Sequence, residues 1–325
     1  MSETAIGQAY VAGIVAGARI RFPTPLERLI FLRALPNISM MQRGALSYIA
    51  QRSEERHFKK GEVIFEYENS VDAVHFVAEG RVSVEQEGVQ VATVEPHFAV
   101  GFLPVLSSQV IHQRMVALDD TVTLELSAAE VHVVIEEDFA FLETGLRQLS
   151  RQLVETQATL EAAGKLKRSE PDEVPYPHDE LDIIQRIVTA HKGPLETANL
   201  EPLVQLVRQF EEIRVEPGHV FWNEGDEALG GFNIVYGVVS CESERRTFRM
   251  GPGSSIGQLE AYGGLQRSYR AVAETKVVAL RGTAEGFIDI LEDHFELAMA
   301  TISFIADRLI EMNLQVAQAN ANKAD

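Results

Sequence analysis

The sequence repeats itself at a fixed distance, and this repeat limits the possible folds more than any other feature. The segment FKKGEVIFEYEN matches VEPGHVFWNEGD, which pairs Gly61 with Gly218. Further along the chain, Gly101 pairs with Gly257, and the offset between the two copies stays at 156 or 157 residues. Chance similarity does not hold one register over such a length, so the repeat predicts a duplicated domain.

Each copy alternates apolar and polar residues in short runs that glycine turns separate. In the first copy the runs are EVIFEYE, AVHFVAE and VSVEQEGVQVATV, and in the second they are HVFWNE, GFNIVYGVVS and TKVVALR. A period of two is typical of half-buried strands. The pattern predicts an α+β fold, mainly β, with two antiparallel jelly-roll-like β-rolls flanked by helices.

A long run at helical spacing follows each roll. Both runs present apolar residues every three or four positions, as in a seam between packed helices. The two sets are Leu142, Leu146, Leu149, Leu153, Thr156 and Leu160, and Phe295, Ala298, Ile302, Ile305, Leu309, Met312 and Val316. Either seam can pack on its own roll; for the C-terminal seam we favour a homodimer.

The domain limits follow from the repeat and from one change in composition. Between the copies, KLKRSEPDEVPYPHDE is charged and proline-rich without an apolar period, which is typical of a linker. We expect an N-terminal segment at 1–26, a first domain at 27–165, a linker with a helix at 166–199 and a second domain at 200–325.

The charge of the chain argues against a nucleic-acid partner. Acidic residues outnumber basic residues 48 to 29, which gives a formal net charge of −19. No long cluster of Lys and Arg offsets this excess, so phosphate backbones are repelled. An anionic small ligand would need its own local positive site.

Cysteine usage and hydropathy indicate a cytoplasmic protein. Cys241 is the only cysteine, so the chain tolerates a reducing compartment. The apolar stretch AYVAGIVAGARI is too short to span a bilayer and lacks the pattern of a signal peptide. We therefore expect no membrane insertion.

The sequence contains no motif for catalysis or for a cofactor. The nine histidines are scattered without metal-ligand spacing, and no phosphate-binding loop or nucleophile motif lies between a strand and a helix. We expect a protein that is not an enzyme and holds no metal.

The first copy, with LRALPNISMMQRGALSYIAQRSEERHFKKGEVIF and VAEGRVSV, resembles a cyclic nucleotide-binding domain. This family includes the regulatory subunits of cyclic AMP-dependent protein kinase and the ligand domain of the bacterial catabolite activator. The second copy repeats the order with VEPGHVFWNEGD and a cassette GQLEAYGGLQRSYRAVA. The resemblance implies tandem ligand domains here without the activator's DNA-binding part.

The resemblance also implies a role for each cassette residue. The family places a glycine, a glutamate for the ribose hydroxyl and, about ten residues later, an arginine for the cyclic phosphate. In the second copy we expect the ligand, cyclic AMP or another cyclic nucleotide, to contact six residues: Gly257, Gln258, Leu259, Arg267, Ser268 and Arg270.

The second cassette departs from the family pattern at several of its positions. Gln258 replaces the glutamate, Glu260 takes a small-residue position and Arg270 takes a Thr or Ser position. If Arg270 points inward, it adds a second cation or fills the pocket; if outward, it is a surface charge.

The first cassette has lost its polar groups. Phe102 stands at the glutamate position and Ile111 at the arginine position. Phe102, Leu103 and Pro104 are also expected to disrupt the short helix of the cassette. Desolvating a phosphate without a cationic partner is unfavourable, so the first copy is not expected to bind a cyclic nucleotide.

These observations predict a regulatory protein whose second domain senses a cyclic nucleotide and signals to a protein partner. The alternative is a ligand-free scaffold that uses both degenerate domains as interaction surfaces.

Overall fold

The chain divides into two compact units, each holding one copy of the repeat. The computed structural model describes residues 21–36, 38, 41–67, 70–166, 170–196, 198–243 and 246–324. The first unit runs to Thr144 and includes the chain end from Asn320, and the second is Gly145–Ala319. Most of the predicted N-terminal segment, up to residue 20, lies outside the described residues, and the predicted domain limits stay a prediction.

The described part of the first unit begins with two helices, continues with eight strands that include one short helix between β6 and β7, and ends with two helices. The helices are α1 (Pro25–Arg33), α2 (Arg43–Arg52), α3 (Phe102–Leu106), α4 (Ala128–Glu137) and the start of α5 (Phe139–Ala162). The strands are β1 (Glu54–Phe58), β2 (Val63–Phe65), β3 (Ala73–Glu79), β4 (Val82–Gln86), β5 (Val89–Val94), β6 (Ala99–Val100), β7 (Gln113–Ala117) and β8 (Thr121–Ser127). They form two antiparallel sheets, β1-β8-β3-β6 and β2-β7-β4-β5.

The second unit repeats this order. Its helices are the rest of α5, α6 (Ile183–Ala190), a 3₁₀ turn (Gly193–Leu195), α7 (Leu200–Gln209), α8 (Gln258–Gly263), α9 (Ala284–Asp293) and α10 (Phe295–Ala324). Its strands are β9 (Glu211–Val215), β10 (Val220–Trp222), β11 (Gly230–Tyr236), β12 (Val239–Ser243), β13 (Arg246–Met250), β14 (Ser255–Ile256), β15 (Arg270–Ala273) and β16 (Val277–Thr283).

The sheets of the second unit, β9-β16-β11-β14 and β10-β15-β12-β13, follow the same order as those of the first. The predicted duplication and the α+β class with two antiparallel rolls are confirmed, with 42% helix and 27% strand. Much of the helical content comes from α5 and α10, the two long helices that the apolar spacing predicted.

A helix pair precedes each roll, and a half-buried arginine of its first helix donates to the backbone just before the first strand. In the first unit, Arg28 of α1 donates to the carbonyl oxygen of Ser53. In the second, Arg186 of α6 donates to the carbonyl oxygen of Phe210 at 2.8 Å. Helix α6 was predicted as part of the linker; its contacts with α7 make it the counterpart of α1.

The apolar seams of the long helices are buried within the single chain. Leu142, Leu146, Leu149, Leu153 and Leu160 of α5 are buried, as are Ala298, Ile302, Ile305, Leu309 and Met312 of α10. Side chains already removed from water cannot supply a second interface. The homodimer stays a prediction and would need a different surface.

The short helix of the first cassette forms, contrary to expectation. α3 begins after Gly101, whose φ of 97° places it in the left-handed region. Pro104 is its third residue, where the backbone N–H has no partner within the helix, so proline costs no hydrogen bond there. The expectation that these residues disrupt the helix was wrong for that reason.

Membrane-spanning helices and metal-binding clusters are both absent from the described residues. No described helix is long and apolar enough to cross a membrane. Within the same part of the chain, no group of three or more His, Cys, Asp or Glu side chains is arranged to hold a metal ion. Cys241 is buried in strand β12.

His75 is a buried titratable group on β3 of the first unit. Its side chain is 2% exposed, and Nδ1 lies 3.0 Å from the Thr123 hydroxyl. Burial lowers the pKa of His75 to about 4, although the Glu125 carboxylate at 3.7 Å opposes the shift and Arg56 adds to it. Asp72 also favours the charged form.

We expect the first unit to lose stability as the pH falls from 6.5 towards 4. The unfolded state then binds a proton at His75 that the folded state excludes, and each pKa unit is worth about 1.4 kcal/mol. The loss should reach about 2 kcal/mol at pH 5. Hydrogen exchange of the β3 and β8 amides between pH 7 and 5, corrected for intrinsic rates, measures it.

The chain offers a matched control for this pH dependence. Phe232 occupies the corresponding position on β11, opposite Ile256 as His75 is opposite Val100. The variant His75→Phe should therefore fold and show a flatter pH profile. An unchanged profile would assign the acid sensitivity to other groups.

Candidate functional site

The second cassette is a tight turn, a short helix and a return strand. Strand β14 leads to Gly257, whose φ of 80° lies in the left-handed region. A Cβ added there would lie 2.2 Å from the nearer terminal nitrogen of Arg267. Only glycine lets the chain turn into α8 and leaves space for this guanidinium.

The Arg267 guanidinium lies inside the domain and bridges two backbone segments. Its two terminal nitrogens donate to the carbonyl oxygens of Gly257 at 2.7 Å and Gly230 at 2.6 Å. It also lies over the ring of Trp222, 4.1 Å from the centroid. Burial lowers the pKa of Arg267 from its ordinary value, and the Glu260 carboxylate opposes this effect.

Two buried polar atoms of the cassette have no hydrogen-bond partner within the described part of the chain. They are Nε of Arg267, a donor, and Oε1 of Gln258, an acceptor. The amide nitrogen of Gln258 donates to Oδ1 of Asn233 at 3.3 Å, which fixes the direction of the free oxygen. Buried polar groups are nearly always paired, so two unpaired atoms within one cassette make it the candidate site.

The short helix of the cassette also carries a buried carboxylate. Glu260 is 5% exposed and accepts a hydrogen bond at 2.8 Å from the hydroxyl of Ser268. Glu260 departs from the family pattern and was not among the predicted binding residues. Its burial beside the predicted site adds a negative charge where an anion was expected.

The cassette borders a cavity of about 410 Å³. Of the predicted residues, Gly257, Gln258, Leu259 and Ser268 line it, and Arg267 and Arg270 do not. The volume is within the range typical of small-molecule sites. The structure therefore brings four of the six predicted residues to one cavity.

The side chain of Arg270 adopts one of the two orientations that the sequence left open. It is exposed on β15, in register with Glu242 of the neighbouring strand. This is the outward orientation, so Arg270 is a surface charge in this structure.

The remaining walls of the cavity come from segments outside the cassette. Aromatic side chains contribute through Phe248, Tyr262, Tyr269 and Phe304. Helix α10 contributes Thr301, Phe304, Ile305 and Arg308, and the segment before α7 contributes Lys192, Gly193 and Leu195. No sequence signal distinguished these residues, because their apolar spacing equals that of an ordinary packed helix.

The corresponding region of the first unit is apolar. Phe102, at the expected glutamate position, packs on Phe76 and Phe141 with ring centroids 6.0 and 6.4 Å apart. The ring takes part in the core rather than in a polar site. The prediction that this copy binds no cyclic nucleotide stays a prediction, and this packing supports it.

The family model of the cyclic nucleotide-binding domain matches residues 55–138. The match lies in the first unit, where Phe102 and Ile111 stand at the glutamate and arginine positions of the cassette. The resemblance read from the sequence is confirmed.

The solved structures to which the chain is similar include proteins from protozoa and bacteria. A regulatory subunit of a cAMP-independent protein kinase A from Trypanosoma cruzi, bound to guanosine, is 15% identical, with 82% of this chain and 85% of its own covered and a TM-score of 0.31. A cyclic nucleotide-binding-like protein from Brucella abortus is 26% identical, with coverages of 34% and 99% and a TM-score of 0.30. The N-terminal domain of a transcriptional regulator from Streptomyces coelicolor A3(2) is 21% identical, with coverages of 41% and 94% and a TM-score of 0.36.

No curated protein sequence matches the chain. The family assignment therefore depends on the match to residues 55–138.

Proposed function

We propose that this chain, in which residues 55–138 form a domain of the cyclic nucleotide-binding family, is a non-enzymatic regulatory protein whose second unit binds a ligand of the nucleotide class. The ligand occupies the cavity beside the cassette, and its presence is signalled to a protein partner. The tested candidates are cyclic nucleotides and their parent nucleosides.

The unpaired atoms of the cassette carry this proposal. Nε of Arg267 and Oε1 of Gln258 are buried without a partner, at the two positions that the family uses to hold its ligand. An unpaired buried polar atom costs about 1–3 kcal/mol. Gln258 also lines the cavity, so a ligand whose donor reaches its Oε1 recovers that free energy and is bound more tightly for it.

The far wall of the cavity offers a route for the signal. Thr301, Phe304 and Ile305 of α10 line the same cavity as Gln258. A ligand that contacts both walls binds more tightly to one arrangement of α10 relative to the cassette. Binding therefore increases the fraction of molecules in that arrangement. The partner surface is therefore expected to include α10 or the segments that contact it.

The alternative function is a ligand-free scaffold. One observation favours it: both terminal nitrogens of Arg267 are already bound to backbone carbonyls. In that case the guanidinium only supports the fold, and the cassette is a remnant of a lost site.

We expect thermal unfolding to distinguish the two functions. Cyclic AMP, cyclic GMP, adenosine and guanosine, each at millimolar concentration, are added to the full chain. A ligand at a hundredfold excess over its Kd stabilises the folded state by about 2.7 kcal/mol, so at least one of them should raise the midpoint by several degrees. If none does, the scaffold is the better account.

A pair of variants tests whether the binding is at the cassette. Gln258→Met removes the free acceptor, and the loss of one hydrogen bond should weaken binding about five- to tenfold. Gln266→Met is the matched control, because Gln266 is exposed in the same loop and does not line the cavity. Equal effects of both changes would place the ligand elsewhere.

A further inference from the structure

We propose that the first unit binds a small organic cation through a primary ammonium group, in a polar pocket between the two sheets of its β-roll. This roll pocket has a volume of about 710 Å³. The lining residues that matter here are Arg56, Phe58, Phe65, Asp72, His75 and Glu125. They belong to the first unit and the cassette cavity belongs to the second, so this site is independent of the proposed function.

The first roll has polar side chains at three positions where the second roll has apolar ones. Strand pairing matches the positions in the two units: Arg56 with Ile213, His75 with Phe232, and Thr123 with Ala279. The apolar members form or contact the core of the second roll. Polar groups at the same positions give up this packing and must be desolvated, and such departures from a well-packed core are typical of functional sites.

His75 is the buried polar group of the roll pocket. It is 2% exposed, and its ring contacts the rings of Phe58 and Phe65 at centroid distances of 5.8 and 5.3 Å. Nδ1 is bonded to the Thr123 hydroxyl, whereas Nε2 lies 3.7 Å from the Glu125 carboxylate, too far for a hydrogen bond. Because its pKa is near 4, His75 is neutral at pH 7. With the proton on Nδ1, Nε2 is a buried acceptor that an N–H group of a ligand can pair.

The charge of the roll pocket favours a cation over an anion. The guanidinium of Arg56 makes two hydrogen bonds of 3.0 Å to the Glu125 carboxylate and an ion pair with Glu54 at 2.9 Å. Its positive charge is therefore already balanced. Asp72 forms no ion pair within the described part of the chain, so its carboxylate leaves the pocket with an excess of negative charge. An anion would be repelled here and a cation attracted.

A primary ammonium group matches both the charge and the acceptors of the pocket. It carries three N–H donors, enough for the carboxylates of Asp72 and Glu125 and for Nε2 of His75. The rings of Phe58 and Phe65 supply apolar surface for the alkyl part of the ligand. A metal ion fits less well, because no group of three or more His, Cys, Asp or Glu among the described residues is arranged to hold one.

Nuclear magnetic resonance of the full chain with ¹³C-labelled histidine tests the site. The imidazole signal of His75 is identified by its absence from the spectrum of His75→Phe. We expect n-butylamine, which is protonated at pH 7, to shift this signal saturably. Butyrate, an anion, and tetramethylammonium, a cation without N–H donors, should not. No saturable shift with n-butylamine, or an equal shift with tetramethylammonium, overturns the proposal.

Asp72→Asn tests whether the unbalanced carboxylate holds the ammonium group. The change removes one negative charge at an exposed position and should raise the Kd of n-butylamine about fivefold or more. Glu136→Gln, exposed on α4 and outside the pocket, removes the same charge elsewhere in the first unit and should leave the Kd within about twofold. An unchanged Kd in Asp72→Asn, or equal rises in both variants, contradicts the proposal, because only the net charge of the chain would then attract the cation.

Discussion

Replacing Gly237 with alanine should destabilise the second unit by about 4 kcal/mol. Gly237 has a φ of 87°, and an added Cβ would lie 1.9 Å from the carbonyl oxygen of Lys276. The left-handed conformation costs an L-residue about 1–2 kcal/mol, and relieving a contact with rigid backbone adds about 1–3 kcal/mol. Because Lys276 immediately precedes β16, moving its carbonyl oxygen away would disturb the pairing of β16 with β11.

Gly218→Ala is the matched control for this change. Gly218 has nearly the same φ, 89°, but a Cβ there would meet no atom within 4 Å. It should cost only about 1 kcal/mol, the conformational term alone. Urea unfolding followed by the fluorescence of Trp222, the one tryptophan of the chain, reports on this unit. Equal losses in the two variants would show that the contact with Lys276 relaxes freely.

The same two glycines show which features of the fold could be predicted from the sequence and which could not. The register of Gly218 with Gly61 helped to reveal the duplication, and the strand alternation in each copy predicted both rolls. The sequence could not tell which glycine avoids a collision, because Lys276 lies far from Gly237 in the chain. Such contacts depend on how strands pair, which a single sequence does not state.

For the candidate site too, the sequence predicted the residues of one continuous segment and missed those of distant segments. The spacing of Gly257, Gln258 and Ser268 was enough to place them together, because a short turn and helix hold them within one segment. The walls formed by Lys192 and Phe304 were missed, since they belong to distant segments. The direction of Arg267 was also missed, because carbonyl oxygens compete with a ligand for its donors and leave no trace in the sequence.

The contacts of Arg267 lead to the second large effect: Arg267→Ala should destabilise the second unit by about 3 kcal/mol. The change removes two charge-assisted hydrogen bonds to backbone oxygens and the contact with Trp222. Hydrogen bonds to charged groups contribute about 1.5–3 kcal/mol each, and the relief of burying the guanidinium offsets part of their loss. Urea unfolding followed by Trp222 fluorescence measures the change.

Two companion variants separate the causes of this loss. Arg267→Met keeps most of the buried stem and should recover about 1 kcal/mol of packing, which assigns the remainder to the hydrogen bonds. Arg270→Ala removes an exposed arginine three residues away and should change the stability by less than about 0.5 kcal/mol. If Arg267→Ala is equally harmless, the guanidinium is free to leave its carbonyl partners, and the cassette could pair a phosphate after all. If it is destabilising, loss of ligand binding in that variant cannot be separated from loss of the fold, and Gln258 and Glu260 become the positions at which the site is tested.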